Sequence, residues 1–363
     1  MIREYTSLGL MSGTSGDGVD ASIIQSDGEN KYQVILDKYF EYDQDTYKNI
    51  HKLKEKINNS KDLENLLIEI EKLEKKITLF HAKVVDNIKR EKVDFIGFHG
   101  QTIFHNPKEK ISKQLGDGHL LSKLTGKKVV YNFRENDLKN GGQGAPLTPI
   151  FHKLLRKKLK LELPVAIMNV GGIANVTIID INENIYSKDI GPGNCLIDQW
   201  IRSNSEKKYD EDGKIAKLGK INTIILNQAI ENFESKDAPM SYDVKDFDLS
   251  FVRGLSIEDG AATLTEYTSK ILIEKLKTFS NFSINNIIIS GGGRKNKLLI
   301  KSIEEKIDIP VKSIDNFGVN GDFVESQAFA YLAIRSYLNL PISFPKTTGC
   351  YEPCSGGILV KTK

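Results

Sequence analysis

With 363 residues the chain is long enough for two domains with substantial cores, and 39% hydrophobic with 27% charged residues is ordinary globular usage. Its 51 Lys and Arg against 48 Asp and Glu leave a net charge of only +3, and no basic stripe interleaved with aromatics stands out, so nucleic acid is not an expected partner. No apolar stretch is long enough to span a bilayer, and Met1-Ile-Arg-Glu runs straight into a strand without a signal-like region, so a cytoplasmic protein with no membrane contact is expected.

Tyr5 to Met11 and Val19 to Gln25 read as strands, joined by a loop of small polar residues, Ser12-Gly13-Thr14-Ser15-Gly16-Asp17-Gly18. Hydroxyls and glycine backbone let an anion approach closely, so this loop is a candidate polyphosphate site. Asp17 and Asp20 beside such a site imply a cation between carboxylate and phosphate, and Asp17 is the candidate partner of Mg²⁺, directly or through water. A strand on both sides of the loop, with no Gly-Lys-Ser/Thr ending, argues against a P-loop or a Rossmann fingerprint. An ordinary Gly-Asp hairpin turn is the competing reading of this stretch.

Apolar residues at Leu63, Leu66, Leu67, Ile70, Leu73, Ile77, Phe80, Val84 and Ile88 predict one long amphipathic helix packed on the first lobe. Val93 to Phe98 follows as a strand ending at His99, with Gly100, Gln101 and Thr102 after it. A further strand, Val129 to Phe133, leads to Arg134 and the glycine-rich run Gly141-Gly-Gln-Gly-Ala-Pro-Leu147, and such loops at strand ends suggest close contact with a ligand.

A second strand-glycine-strand unit follows: Val165 to Val170, Gly171-Gly172, then Ala174 to Ile179. Asp189 ends a short strand before Gly191-Pro-Gly193 and a helix starting at Cys195, a position suited to a general base. Ile287-Ile-Ile-Ser290 runs into Gly291, Gly292 and Gly293 and a helix from Lys297, where a base and ribose could lie against bare backbone. Cys195, Cys350 and Cys354 fit reduced structural thiols, and the Cys350-x-x-x-Cys354 spacing lacks the second pair or histidines of a zinc site. No linker separates the lobes, so the boundary is set by topology: 1–162 for the first, 163–363 for the second, with the last residues returning to the hinge.

Two phosphate hairpins in one chain are the device of the sugar kinase, actin and heat-shock chaperone superfamily. The order Gly-Leu-Met-Ser-Gly-Thr-Ser-x-Asp-Gly-Val-Asp-Ala, His-Gly-Gln-Thr, Phe-Arg, Gly-Gly-Gln-Gly-Ala-Pro-Leu, Asn-Val-Gly-Gly-Ile-Ala-Asn, Asp-x-Gly-Pro-Gly-Asn and Gly-Gly-Gly-Arg-Lys-Asn resembles the anhydro-N-acetylmuramic acid kinase family from Leu8 to about Gly349. The resemblance implies a two-lobed α/β protein of the ribonuclease H-like, actin-like ATPase fold with a cleft between the lobes. It also implies a transferase in amino-sugar and peptidoglycan metabolism that uses ATP and Mg²⁺, and a homodimer.

Carried onto this sequence, the resemblance implies that Ser12 to Gly18 and Gly171-Gly172 hold the ATP phosphates and Gly291 to Gly293 face the adenosine. Asp189 matches the catalytic aspartate, Arg134 and Glu325 match residues lining the sugar pocket, and His99 and Gln101 are expected near it. Glu325 to Ala333 resembles the superfamily's second connecting helix. Two departures stand out. Position 16 is Gly where a bulkier residue is usual, which should loosen the first loop. Met240 to Ser250 replaces a Lys-Ser-Thr-Gly-Arg segment, so an expected Arg is missing near where an anionic lactyl group would lie. Another anhydrosugar such as levoglucosan, or a conformational ATPase without a sugar substrate, are the alternatives.

Overall fold

Tyr5–Ser12 (β1) is buried on both faces, as a central strand must be, and the chain turns back through the first glycine loop into Gly18–Ser26 (β2). The computed structural model, which describes residues 3–88, 92–234, 241–280 and 283–361, divides into two units, Met1–Lys160 with Phe323–Lys363, and Leu161–Asp322. In the first unit β2 continues antiparallel into Tyr32–Glu41 (β3), while Phe95–Asn106 (β4) lies parallel to β1 and Lys128–Tyr131 (β6) parallel to β4. Ile111–Leu115 (β5) pairs antiparallel with β4, and the C-terminal strand Ile358–Val360 closes the far edge on β6. The resulting order, C-terminal strand, β6, β4, β1, β2, β3, is the ribonuclease H-like arrangement expected from the hairpins.

One face of this sheet is covered by helices Gln44–Lys56 and Leu67–Asn87, whose Ile50, Leu53, Ile70, Leu73 and Ile77 bury against Leu8, Leu10, Val19 and Phe98. The apolar spacing predicted a single helix from Leu63 to Ile88. Instead the helix breaks at Leu66, whose φ of −103° and ψ of 15° separate Lys61–Asn65 from Leu67–Asn87. Leu67, just after the break, is 52% exposed, so its place in the sequence pattern is not a place in the core.

The other face carries helix Val324–Tyr337. Gly9 and Gly97 stand side by side in the β1–β4 register, and a Cβ there would lie 1.9 Å from the Ser326 carbonyl oxygen and 2.3 Å from that of Phe329. Two glycines and the small residues Ser326, Ala330 and Ala333 thus let helix backbone rest directly on strand backbone. This contact explains why Phe323–Lys363 belongs to the first unit, whereas the sequence suggested a second lobe over 163–363 with only its last residues returning to the hinge.

The second unit repeats the arrangement. Val165–Val170 (β7), Ile173–Ile179 (β8) and Ile185–Pro192 (β9) form an antiparallel meander, and Asn286–Ser290 (β10) and Val311–Ser313 (β11) add in parallel beyond β7. Leu272, Ile273 and Leu276 of helix Ile257–Phe279 bury against Met168, Val176, Ile178 and Ile190. Among the described residues no helix is long and apolar enough to cross a membrane.

Candidate active site

The first glycine loop is held from behind and open in front. Ser12 Oγ, buried, lies 2.8 Å from the Gly18 carbonyl and 2.7 Å from Gln101 Oε1, and its single proton serves one acceptor at a time. Gln101 Nε2 donates to the Gly13 carbonyl at 3.0 Å, so this side chain, expected beside a sugar, is fully buried and ties β4 to the loop. Two residues that carried no sequence signal brace the loop as well: His51 Nε2 lies 2.9 Å from the Ser15 carbonyl and Lys54 Nζ donates to that of Thr14 at 3.0 Å. Thr14 and Ser15 are exposed, and Ser15 Oγ donates to Asp17 Oδ1 at 2.6 Å, which orients the carboxylate beside the hydroxyls. Gly16 has φ +62° and its Cβ position lies 3.0 Å from Ile50, so glycine is the unstrained residue there.

His99 and Arg134 meet in the first unit, and Glu325 lies on the helix that packs against His99. β4 does not end at His99, as the sequence suggested, but runs on to Asn106. Leu10 pairs with Phe98 and Met11 with Gly100, so His99 is the extra residue of a β-bulge. Its Nδ1–H donates to the Gly100 carbonyl at 2.8 Å, and its Nε2 accepts from Arg134 Nη2 at 2.9 Å. Arg134 Nη1 donates to the Gly144 carbonyl at 2.8 Å, which gives the glycine-rich run a definite task. The imidazole packs on Phe329 with ring centroids 4.4 Å apart, and Glu325 lies one helical turn before Phe329 on the same face.

Burial, reinforced by the Arg134 charge, holds His99 neutral with its pKa well below 6.5. Burial also pushes His81 and His152 down to about 4, and burial with the Arg134 charge pushes His105 to about 3. In the unfolded chain each titrates near 6.5, so their contribution is complete above that pH and is lost as pH falls toward the folded values. The melting temperature should therefore drop between pH 7 and pH 5, each such histidine contributing about 1.4 kcal/mol per pH unit within its window. A melting temperature that stays flat across that range, followed by circular dichroism, would contradict this.

In the second unit the hairpin turn and the aspartate strand are one construction. The Gly172 carbonyl accepts from the amides of Gly193 and Cys195 at 3.0 and 3.1 Å, and the Gly171 carbonyl accepts from Asn194 at 2.8 Å. A Cβ on Gly193 would lie 2.2 Å from the Gly171 oxygen, so only glycine fits. Asp189 is buried just before a second bulge, where β8 passes from Ala174 opposite Gly191 to Asn175 opposite Asp189. Its Oδ2 accepts from the Tyr242 backbone N–H at 2.9 Å. The altered 240–250 segment, of which Met240 lies outside the described residues, thus reaches Asp189 through a main-chain N–H that every residue but proline supplies. Asp243 and Asp246 fix that turn by reciprocal bonds to each other's backbone.

Two of the three glycines after β10 pack on the end of β7, just before that turn. Gly291 has φ +78°, and Cβ atoms on Gly291 and Gly293 would lie 2.4 Å from Asn169 Oδ1 and 2.3 Å from Val170 Cγ1. Gly292 has only Asn194 Nδ2 at 3.8 Å, so packing accounts for two of the three. Arg294 then anchors the segment to Asp315 and Asp322 at 2.6 Å each.

The chain matches the family model described as anhydro-N-acetylmuramic acid kinase over residues 5–362. It belongs to that family. Over 373 residues it is 56% identical to the anhydro-N-acetylmuramic acid kinase of Pelagibacter ubique (strain HTCC1062), covering 99% of this chain and 100% of that one. The anhydro-N-acetylmuramic acid kinase of Zymomonas mobilis subsp. mobilis is 38% identical over 366 residues, covering 96% and 98%. A solved structure, the activator of the 2-hydroxyisocaproyl-CoA dehydratase from Clostridium difficile with bound ADPNP, aligns with a TM-score of 0.42 and 14% identity over 91% of this chain and 94% of that one.

Proposed function

We propose that the protein is an ATP-dependent kinase acting on 1,6-anhydro-N-acetylmuramic acid. The 6-oxygen takes the γ-phosphoryl group while water adds to the anomeric carbon and the anhydro bridge opens, giving N-acetylmuramic acid 6-phosphate and ADP in cell-wall recycling. The observation that carries the reading is Asp189, a buried carboxylate held by the Tyr242 amide; it does not end its strand, as the sequence suggested, but sits within β9, which runs on to Pro192 and whose next residues are bonded to the Gly171-Gly172 turn. In this role it takes a proton from the attacking water, as in inverting glycoside cleavage, except that the leaving 6-oxygen passes to phosphorus.

The exposed hydroxyls and backbone of the first loop, and Gly171-Gly172, are proposed to cradle the phosphates, with Gly291 to Gly293 facing the adenosine. A carboxylate bonded to the exposed Ser15 hydroxyl suits a hydrated Mg²⁺, and Asp17 would hold that ion, which when bound would neutralise charge on the phosphoryl group. Arg134, Glu325 and the bulged His99 are proposed to bind the sugar. Ser12 and Gln101 act on it only through the loop they fasten. A cytoplasmic homodimer belongs to the same reading.

The test is ADP release by the purified protein with MgATP and, in separate reactions, anhydro-N-acetylmuramic acid, N-acetylmuramic acid, levoglucosan, glucose or no sugar. Release confined to anhydro-N-acetylmuramic acid is expected. Release with levoglucosan alone would keep the chemistry and change the substrate, and release at equal rate without sugar would return the protein to the conformational ATPases.

A further inference from the structure

The cysteines near the C-terminus acquire a third partner on folding that their spacing does not reveal. Asp137, in the short helix Glu135–Lys139, lies with Cys350 and Cys354 so that one carboxylate oxygen and the two sulfurs are all within 4.8 Å of one another, and all three residues are buried. We infer that Asp137, Cys350 and Cys354 form a binding site for a thiophilic divalent cation, Zn²⁺, with two thiolates, one carboxylate and a fourth position open to water.

The dimensions fit. An ion at the centre of the three atoms stands about 2.8 Å or less from each, and closing to Zn–S distances of about 2.3 Å takes side-chain movements of roughly half an ångström. Outer partners already orient the ligands. Asp137 Oδ1 accepts from Thr348 Oγ1 at 2.6 Å and Oδ2 from the Gly144 N–H at 2.6 Å, which leaves lone pairs on a carboxylate that offers about four. Ser343 Oγ lies 3.0 Å from Cys354 Sγ. Binding releases two thiol protons to solvent, and two thiolates with one carboxylate leave a single net negative charge around the ion. On the other side of the Gly144 peptide stands the Arg134 guanidinium, bonded to the Gly144 carbonyl.

A disulfide switch fits less well, because thiol exchange needs an accessible thiolate. Cys350 is only 2% exposed. An ion here would fasten the C-terminal segment to the helix and loop that hold Arg134, a join now made by the Gln143 N–H to the Thr348 carbonyl at 2.8 Å and the Tyr351 N–H to the Asn140 carbonyl at 3.0 Å.

The experiment titrates Co²⁺ into the reduced, chelator-treated full chain and follows the sulfur-to-cobalt charge-transfer band. A band that saturates at one ion per chain, survives Cys195→Ser and disappears in Cys350→Ser and Cys354→Ser is expected. No band in the unaltered chain, or a band undiminished in either of the last two variants, would overturn the assignment. Should those variants fail to fold, zinc-edge X-ray absorption of the unaltered chain loaded with one Zn²⁺ decides the matter: two sulfur neighbours support the site, and one or none refutes it.

Discussion

Asp189→Asn is expected to lower sugar-dependent turnover by at least about a hundredfold, the scale of losing a general base, while ATP binding persists. The amide oxygen of Asn can still accept the Tyr242 N–H, so the variant keeps the local bond and loses only the basic oxygen. Its melting temperature should therefore stay near that of the unaltered chain, which separates a chemical defect from a folding one. Turnover by this variant at the original rate, in the ADP-release assay with the preferred sugar, would show that the proton goes elsewhere. A parallel fall in ATP affinity and melting temperature would show that the residue is structural.

Gly9→Ala should have the largest effect on stability. The new methyl would begin 1.9 Å from the Ser326 carbonyl oxygen and 2.6 Å from the Ala330 nitrogen, both backbone, so neither neighbour can swing away and the helix must lift from the sheet. Overpacking of this kind costs about 3 kcal/mol. For a unit of this size that is a fall in melting temperature of roughly 6–12 °C. Gly13→Ala is the contrast, since its Cβ position meets nothing closer than Ser15 Oγ at 4.0 Å and should leave the melting temperature within about 1 °C. Equal melting of the two variants in calorimetry would refute the direct seating of the helix on the strands.

The hairpins were legible because glycine interrupts apolar runs, a strictly local signal, and both turns lie where the sequence suggested, at Gly13–Asp17 and Gly171–Gly172. Strand ends near the site were not. His99 and Asp189 both adjoin β-bulges, and a bulge is one residue out of register with a neighbour that is distant in sequence, so no local pattern marks it. The helix break at Leu66 was hidden for a similar reason, since apolar spacing runs on through the break although Leu67 and Ile68 are exposed. The task of Gln101 could be seen only once Ser12 and Gly13 stood beside it, and the third ligand of the two cysteines only once the C-terminus had returned to the first sheet. Family resemblance named Arg134 and Glu325, whereas the contacts that join Arg134 to His99 and Gly144 came from the fold.

The three bonds that join Gly171 and Gly172 to Gly193, Asn194 and Cys195 make the turn and the aspartate strand share one bearing. Any lesion at that turn is then ambiguous by construction. Any residue but glycine at position 193, where a Cβ would begin 2.2 Å from the Gly171 oxygen, must displace the turn, and on the proposed roles that would weaken nucleotide handling and blunt proton transfer at the same time. On the proposed roles one rigid part would carry two duties, so a mutated loop there would not report a single lost ligand contact.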